Sequence, residues 1–153
     1  MTALAAILAA VTGVVAAAVV ALLFVRTRLV YVPVDGSSMT PTFHPGDVVV
    51  AYRGGRPAVV GDVVVVREPD QTQGWHNLPP LLRGGPTPSG WYIKRVSEPV
   101  GDVPADQLYL LSDNPGGIDS RHHGPCPRDQ VLGRVVRVAS RASGSWEGGR
   151  RRP

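Results

Sequence analysis

The sequence predicts a mainly β domain of antiparallel strands behind one apolar N-terminal helix. Three observations carry that expectation. Thr2 to Val25 contains no charged residue. Past residue 28 the chain turns to short valine-rich runs separated by glycine and proline, with no sustained helical period. Two of those runs open on a Gly-Asp pair, Gly46-Asp47 and Gly61-Asp62, and turn residues ahead of β-branched residues are a strong strand signal.

The first element, almost wholly Ala, Val, Leu and Ile, reaches about 34 Å as a helix at 1.5 Å per residue, enough to cross a bilayer. A cleaved signal peptide has a basic start and a shorter apolar stretch. A buried core helix is usually amphipathic. The segment fits neither, so residues 1–28 are expected to be a permanent membrane anchor. Arg26 and Arg28 follow the span, and nothing basic precedes it except the amino terminus. The positive-inside tendency therefore puts the rest of the chain in the cytoplasm.

Strands are expected at 29–34, 47–52, 62–67, 91–96, 108–112 and 131–138. Their apolar runs are continuous rather than alternating, so both faces are covered or the sheet is coiled and barrel-like. Residues 68–90 form a long loop holding five of the fifteen prolines. A structureless loop of that length is functional or mobile in a compact domain. Its Trp75, Leu78, Leu81 and Leu82 have two possible destinations, the membrane surface or the sheet. The catalytic-size domain spans 29–141. Residues 142–153 read as a disordered, solvated basic tail ending in Arg150-Arg151-Arg152, with anionic headgroups as an alternative contact.

Net charge is +4 and the pI about 9.8. No basic patch is interleaved with aromatics, which argues against a nucleic-acid partner. Cys126 is alone, so there is no disulfide framework. His122, His123 and Cys126 match no standard zinc spacing, and Pro125 and Pro127 flank the cysteine. No metal or other cofactor is expected.

The chemistry lies in a compositional oddity. The chain has fifteen arginines and one lysine, Lys94. Arginine stays protonated, whereas a buried lysine can surrender its proton and act as a base. Strand alternation puts Tyr92, Lys94 and Val96 on one face. An aromatic and a β-branched neighbour are a setting that depresses an amine's pKa. A serine nucleophile needs such a base, and no Ser-His-Asp arrangement presents itself. His44 follows the serine loop in a turn, His76 lies in the long loop, and His122-His123 follow Asp-Ser-Arg. The small residues of Gly36-Ser37-Ser38-Met39-Thr40-Pro41 would let a substrate backbone approach and free a serine N–H for an oxyanion.

Gly36-Ser37-Ser38-Met39-Thr40-Pro41-Thr42 resembles the Ser-Met-x-Pro-Thr box of the type I signal peptidases, membrane-anchored Ser/Lys proteases. Gly61-Asp62-Val63-Val64-Val65 is similar to their Gly-Asp-hydrophobic box. Tyr92-Ile93-Lys94-Arg95-Val96 looks like their lysine box. Ser112-Asp113-Asn114 with Asp119-Ser120-Arg121 and Gly124 resembles their final box. The four boxes stand in the family's order across most of residues 31–135.

The resemblance implies a coiled antiparallel β catalytic domain of the signal-peptidase and LexA-like type. It implies a monomer held at the extracytoplasmic face of the plasma membrane, against the charge flanks of the helix. Its partners would be the lipid bilayer and signal-peptide-bearing precursors, cleaved after a small-x-small motif. Ser38 takes the nucleophile position and Lys94 the general base. The Ser38 N–H, Gly36 and Met39 belong to the oxyanion hole and substrate pocket. Asp113, Asp119 and Arg121 have a structural part, an ion pair that holds the lysine strand.

Three departures stand out, one being Gly36, which stands where some members of the family supply a side-chain oxyanion donor. The final box usually opens on glycine, where this chain has Ser112. A serine usually stands two residues before the Asp of Asp-Ser-Arg and bonds the lysine, where this chain has Gly117. Lys94 would then be oriented by another group or by water. The short stretch between the lysine strand and Asp113 leaves no room for the second domain of larger relatives, which suggests a minimal enzyme. Alternatives are a maturation protease dedicated to few precursors and a non-catalytic tethered binding domain with a decayed site. Self-cleaving LexA-type repressors share the Ser/Lys chemistry, but carry DNA-binding helices where this chain has an apolar span.

Overall fold

The computed structural model describes residues 2–75, 78–81 and 90–142. Helix α1 runs from Thr2 to Arg28. Large apolar side chains from Ile7 to Val25 face outward all round it, and Ile7–Arg28 is long and apolar enough to cross a membrane. It passes directly into β1 (Leu29–Pro33).

The strands after it form one curled, half-barrel sheet, antiparallel throughout. They are β2 (Val48–Tyr52), β3 (Val63–Arg67), β4 (Trp91–Ser97), β5 (Gln107–Leu111), β6 (Cys126–Pro127) and β7 (Val131–Ser140), in the spatial order β1-β2-β7-β3-β4-β5-β6. The final strand therefore returns to the middle and joins the two halves. It holds β2 on one side and β3 on the other, with register shifts against both. Such bulges add local twist, which is what curls the sheet. Gly133 sits where β7 crosses closest: a Cβ there would lie 2.6 Å from the Tyr52 carbonyl oxygen.

The continuous valine runs have a simple cause, because each face of the sheet carries its own core. Val63 and Val65 pack with Val32, Met39, Phe43 and Ile93. Val64 and Val66 pack with Val96, Leu108, Leu110 and Cys126. A strand buried on both faces has no solvent side on which to place polar residues. The second core also takes Trp75, 9% exposed, and Leu78. Of the two destinations for the long loop, these residues take the sheet. Leu82 and His76 fall outside the described residues, as does the tail from 143.

Both Gly-Asp pairs are built turns. Gly46 and Gly61 have φ of 89° and 91°, a region where a side chain is strained. Each following aspartate then ties its loop: Asp47 accepts from the N–H groups of His44 and Ala142, and Asp62 from that of Val59 and from Arg56.

Candidate active site

Lys94 stands at the centre of β4, paired with Val64 of β3. Its alternation with Ile93 and Arg95 turns the amine to the Tyr92 and Val96 side, as the sequence pattern requires. The residue is only 3% exposed, and no carboxylate among the described residues lies within ion-pair distance of it. Its Nζ donates to Ser38 Oγ at 2.9 Å and lies 4.9 Å from the centre of the Tyr92 ring. Burial pulls its pKa down to about 8, against the weaker opposing pull of the Asp119 and Asp113 carboxylates.

The serine loop is fixed from both sides. Below it, Met39 is buried in the first core, and its carbonyl accepts from the Phe43 N–H at 2.9 Å. Above it, Asn114 donates its backbone N–H to the Ser38 carbonyl at 2.9 Å and its side-chain amide to the Ser37 carbonyl at 3.2 Å. Ser38 is half-buried and meets the lysine, while Ser37 is exposed. The Ser38 N–H donates to no group among the described residues. Gly36 is exposed, with open space where a side chain would start.

On the opposite face of β4, Arg95 ties together all four sequence boxes. It donates through Nε and Nη2 to the two oxygens of Asp113, at 2.8 and 2.7 Å. Its Nη1 donates to the Gly61 carbonyl at 3.0 Å, and Thr42 Oγ1 donates to Asp113 from the end of the serine loop. The Arg95 guanidinium holds the Asp113 carboxyl below the usual carboxylate range. The ion pair on the lysine strand is therefore Asp113 with Arg95, a member of the lysine box for which the residues alone suggested no role. Thr42 and Asn114 stand in the serine box and the final box, but nothing in the sequence showed which groups they would bond.

Asp119 and Arg121 make a second, separate pair. Arg121 donates Nε and Nη2 to Asp119 at 2.9 and 2.7 Å, and the backbone N–H of Ser112 donates to the same carboxylate at 2.9 Å. Burial works against this carboxylate's charge, but the Arg121 and backbone donors outweigh it and its pKa is well below normal. Asp119 also caps helix α2 (Ser120–His123), with His122 closing the box from the other side. Cys126 is buried, and among the described residues no group of three potential ligands could hold a metal.

The two departures at 112 and 117 prove to be one. A Cβ on Gly117 would collide with the Ser112 hydroxyl, lie 2.6 Å from Ser112 Cβ and come within 3.1 Å of Ser38 Cβ. The Ser112 side chain thus already fills the space beside Ser38 that a residue at 117 would take, and its hydroxyl donates to the Ile118 carbonyl at 3.3 Å. Serine at one position requires glycine at the other.

Ser38 and Lys94 open onto a cleft of about 630 Å³. Val32, Val34, Met39 and Ile93 line it, as do Asn114, Gly116, Gly117 and Ile118. The cleft can hold an extended chain with small side chains, and at its base are a hydroxyl and an amine in hydrogen-bond contact.

No curated protein matches the chain. The family described as "Signal peptidase, peptidase S26" matches it over residues 4–102 and 96–139, nearly the whole of the described chain. On that match, with its curled antiparallel sheet and its single apolar helix, the chain belongs to the signal peptidase family, peptidase S26.

Proposed function

We propose that this protein is a membrane-anchored serine endopeptidase that removes signal peptides after a small-x-small motif, with Ser38 as nucleophile and Lys94 as general base. Family membership makes it a peptidase whose substrates bear signal peptides. The observation that carries the finer reading is the 2.9 Å contact between a buried, carboxylate-free amine and a serine hydroxyl. In its neutral form the Lys94 amine accepts the Ser38 proton as Oγ attacks the scissile carbonyl carbon. The Ser38 N–H donates to the developing oxyanion. The resulting ammonium gives its proton to the leaving amine as the C–N bond breaks. Lys94 then takes a proton from the water that attacks the acyl-enzyme ester and returns it to Ser38 Oγ as the C–O bond breaks, which restores the hydroxyl and the neutral amine.

Met39 shapes the floor of the substrate pocket, and bare Gly36 leaves room for the substrate backbone. An extended precursor pairs with the chain leading from β1, an edge strand with β2 on one side only, and its small side chains enter the cleft. Asp113, Asp119 and Arg121 hold the serine and lysine elements in register. Ser112 occupies the space that a side chain at 117 would take. Residues 1–28 anchor the catalytic domain, 29–141, at the extracytoplasmic side of the membrane, and 142–153 form a basic tail.

Cleavage of a precursor bearing Ala-x-Ala by the detergent-solubilised full chain tests the reading, beside Ser38→Ala and Lys94→Ala. The expected result is cleavage after the second alanine by the parent and none by either variant. Cleavage by Ser38→Ala would overturn the nucleophile assignment, and an inert parent the signal-peptide specificity.

A further inference from the structure

A second cleft, of about 650 Å³, opens where α1 ends and the sheet begins. Thr27 and Arg28 line it from the helix, and Arg53, Arg56, Arg128 and Arg134 from the sheet and its turns. Against five arginines the lining holds one acid, Asp129.

The guanidiniums are unequally satisfied. Arg56 is held bidentate by Asp62, and Arg128 donates to the carbonyls of Ala105 and Ala58. Arg53 Nε and Arg134 Nη1, in contrast, are buried with no hydrogen-bond partner among the described residues. The nearest carboxylate oxygen to that Arg134 nitrogen, on Asp62, is 3.9 Å away. Arg28 lies 4.7 Å from the centre of the Phe24 ring and passes over Gly54, where a Cβ would sit 2.8 Å from its Nη1. Among the described residues no carboxylate pairs with Arg28 or Arg53. Buried guanidinium nitrogens without acceptors are costly, and an incoming anion would supply the acceptors.

The place of the cleft identifies the anion. The apolar span ends at Arg28. Residues closing a membrane span lie at the edge of the hydrocarbon, and the headgroup layer beyond it is about 5–8 Å thick. A cleft lined by Thr27 and Arg28 therefore sits at the depth of the lipid phosphates. Guanidiniums match phosphate oxygens two at a time, and the surplus of positive charge favours a lipid with net negative charge.

We infer that this cleft binds the phosphate of an anionic phospholipid headgroup and so fixes the catalytic domain against the bilayer. The inference rests on the reading of α1 as a membrane anchor.

The test uses the full chain in detergent, titrated with phosphatidylglycerol or phosphatidylcholine and read by native mass spectrometry. The parent should retain one phosphatidylglycerol in preference to phosphatidylcholine. Replacing both Arg28 and Arg53 by Gln should weaken that retention about tenfold or more. Arg26→Gln removes the same kind of charge about half a turn before Arg28, outside the cleft lining, and should leave retention unchanged. Equal retention by the double variant, or equal loss in Arg26→Gln, would overturn the site. Displacement of the lipid by millimolar inorganic phosphate would make it a free-anion site and overturn the lipid assignment. Flotation with phosphatidylglycerol-containing vesicles separates the two readings. A parent that fails to float removes the anchor and this inference with it. A parent and double variant that both float and retain lipid equally remove the inference alone.

Discussion

Lys94 and Arg95 are consecutive cations on one strand, and the protein treats them in opposite ways. Lys94 is buried without a carboxylate partner, and its pKa is pulled down to about 8. Arg95, on the other face, has both oxygens of Asp113 and a carbonyl besides, and its charge is reinforced. The first residue is deprived of what would keep it protonated, and the second is supplied with it. On the proposed reading of Lys94 as the base, reactivity on this strand comes from withholding partners, and the saturated neighbour supplies the rigidity the deprived one needs. Arginine cannot serve at 94 because it does not release a proton at working pH, while at 95 its planar fork is what matches a carboxylate.

The sharpest way to break the comparison is to put arginine at both positions. Lys94→Arg should lower kcat/KM on an Ala-x-Ala precursor by about 10³-fold or more, as much as Lys94→Ala, since only proton transfer separates the two cations. Appreciable turnover by the arginine variant in a steady-state assay would end the general-base assignment.

On the lysine side, Gly117→Ser should lower activity about 100-fold by driving its side chain into Ser112 and toward Ser38, because small misplacements of reacting groups are expensive. Adding Ser112→Gly should restore most of it. A double variant no better than the single one would mean that the two positions do not exchange.

On the arginine side, Arg95→Ala should destabilise the fold by about 2 kcal/mol, measured by urea unfolding. It leaves Asp113 without its charged donors, and the partial exposure of the pair keeps the loss moderate. The smallest effect should be a gain. Lys94→Met removes a buried cation and should stabilise the fold by about 1–2 kcal/mol near neutral pH. The folded-state pKa of Lys94 lies below its unfolded value, so between pH 8 and about 10.5 the unfolded chain binds more protons. The parent therefore becomes more stable as pH rises through that window. The advantage of the methionine variant should be full below pH 8 and shrink above it. An advantage that does not change with pH would show that the lysine is not strained by burial.

The parts of the fold that depend on neighbours in sequence are legible in the sequence alone. The uncharged stretch became α1, and the six expected strands form within a residue or two of their predicted bounds because Gly-Asp turns and valine runs are local signals. Strand β6, two residues long, and α2, four, carry no periodicity long enough to read. The destination of Trp75 depended on a core that only the folded sheet creates.

The site divides along the same line. Lys94 was visible because it is the only lysine, and Ser38 because its box has a fixed pattern. Arg95 is one arginine among fifteen, and its importance lies in reaching Gly61 and Asp113, which are distant in sequence. The exchange between Ser112 and Gly117 was visible only as two unexplained departures. It is a matter of shared volume, which a sequence does not display.

The most direct test of the central claim, that Lys94 works as a neutral amine, is the pH dependence of kcat/KM between pH 6 and 10. The measurement uses a precursor whose cleavage chemistry limits the rate. The account predicts a tenfold rise per pH unit at the acid end, a bend near pH 8 and a plateau beyond it. A profile that is flat across the range, or that still rises tenfold per unit up to pH 10 as an ordinary lysine with a pKa of about 10.4 would make it, would contradict it.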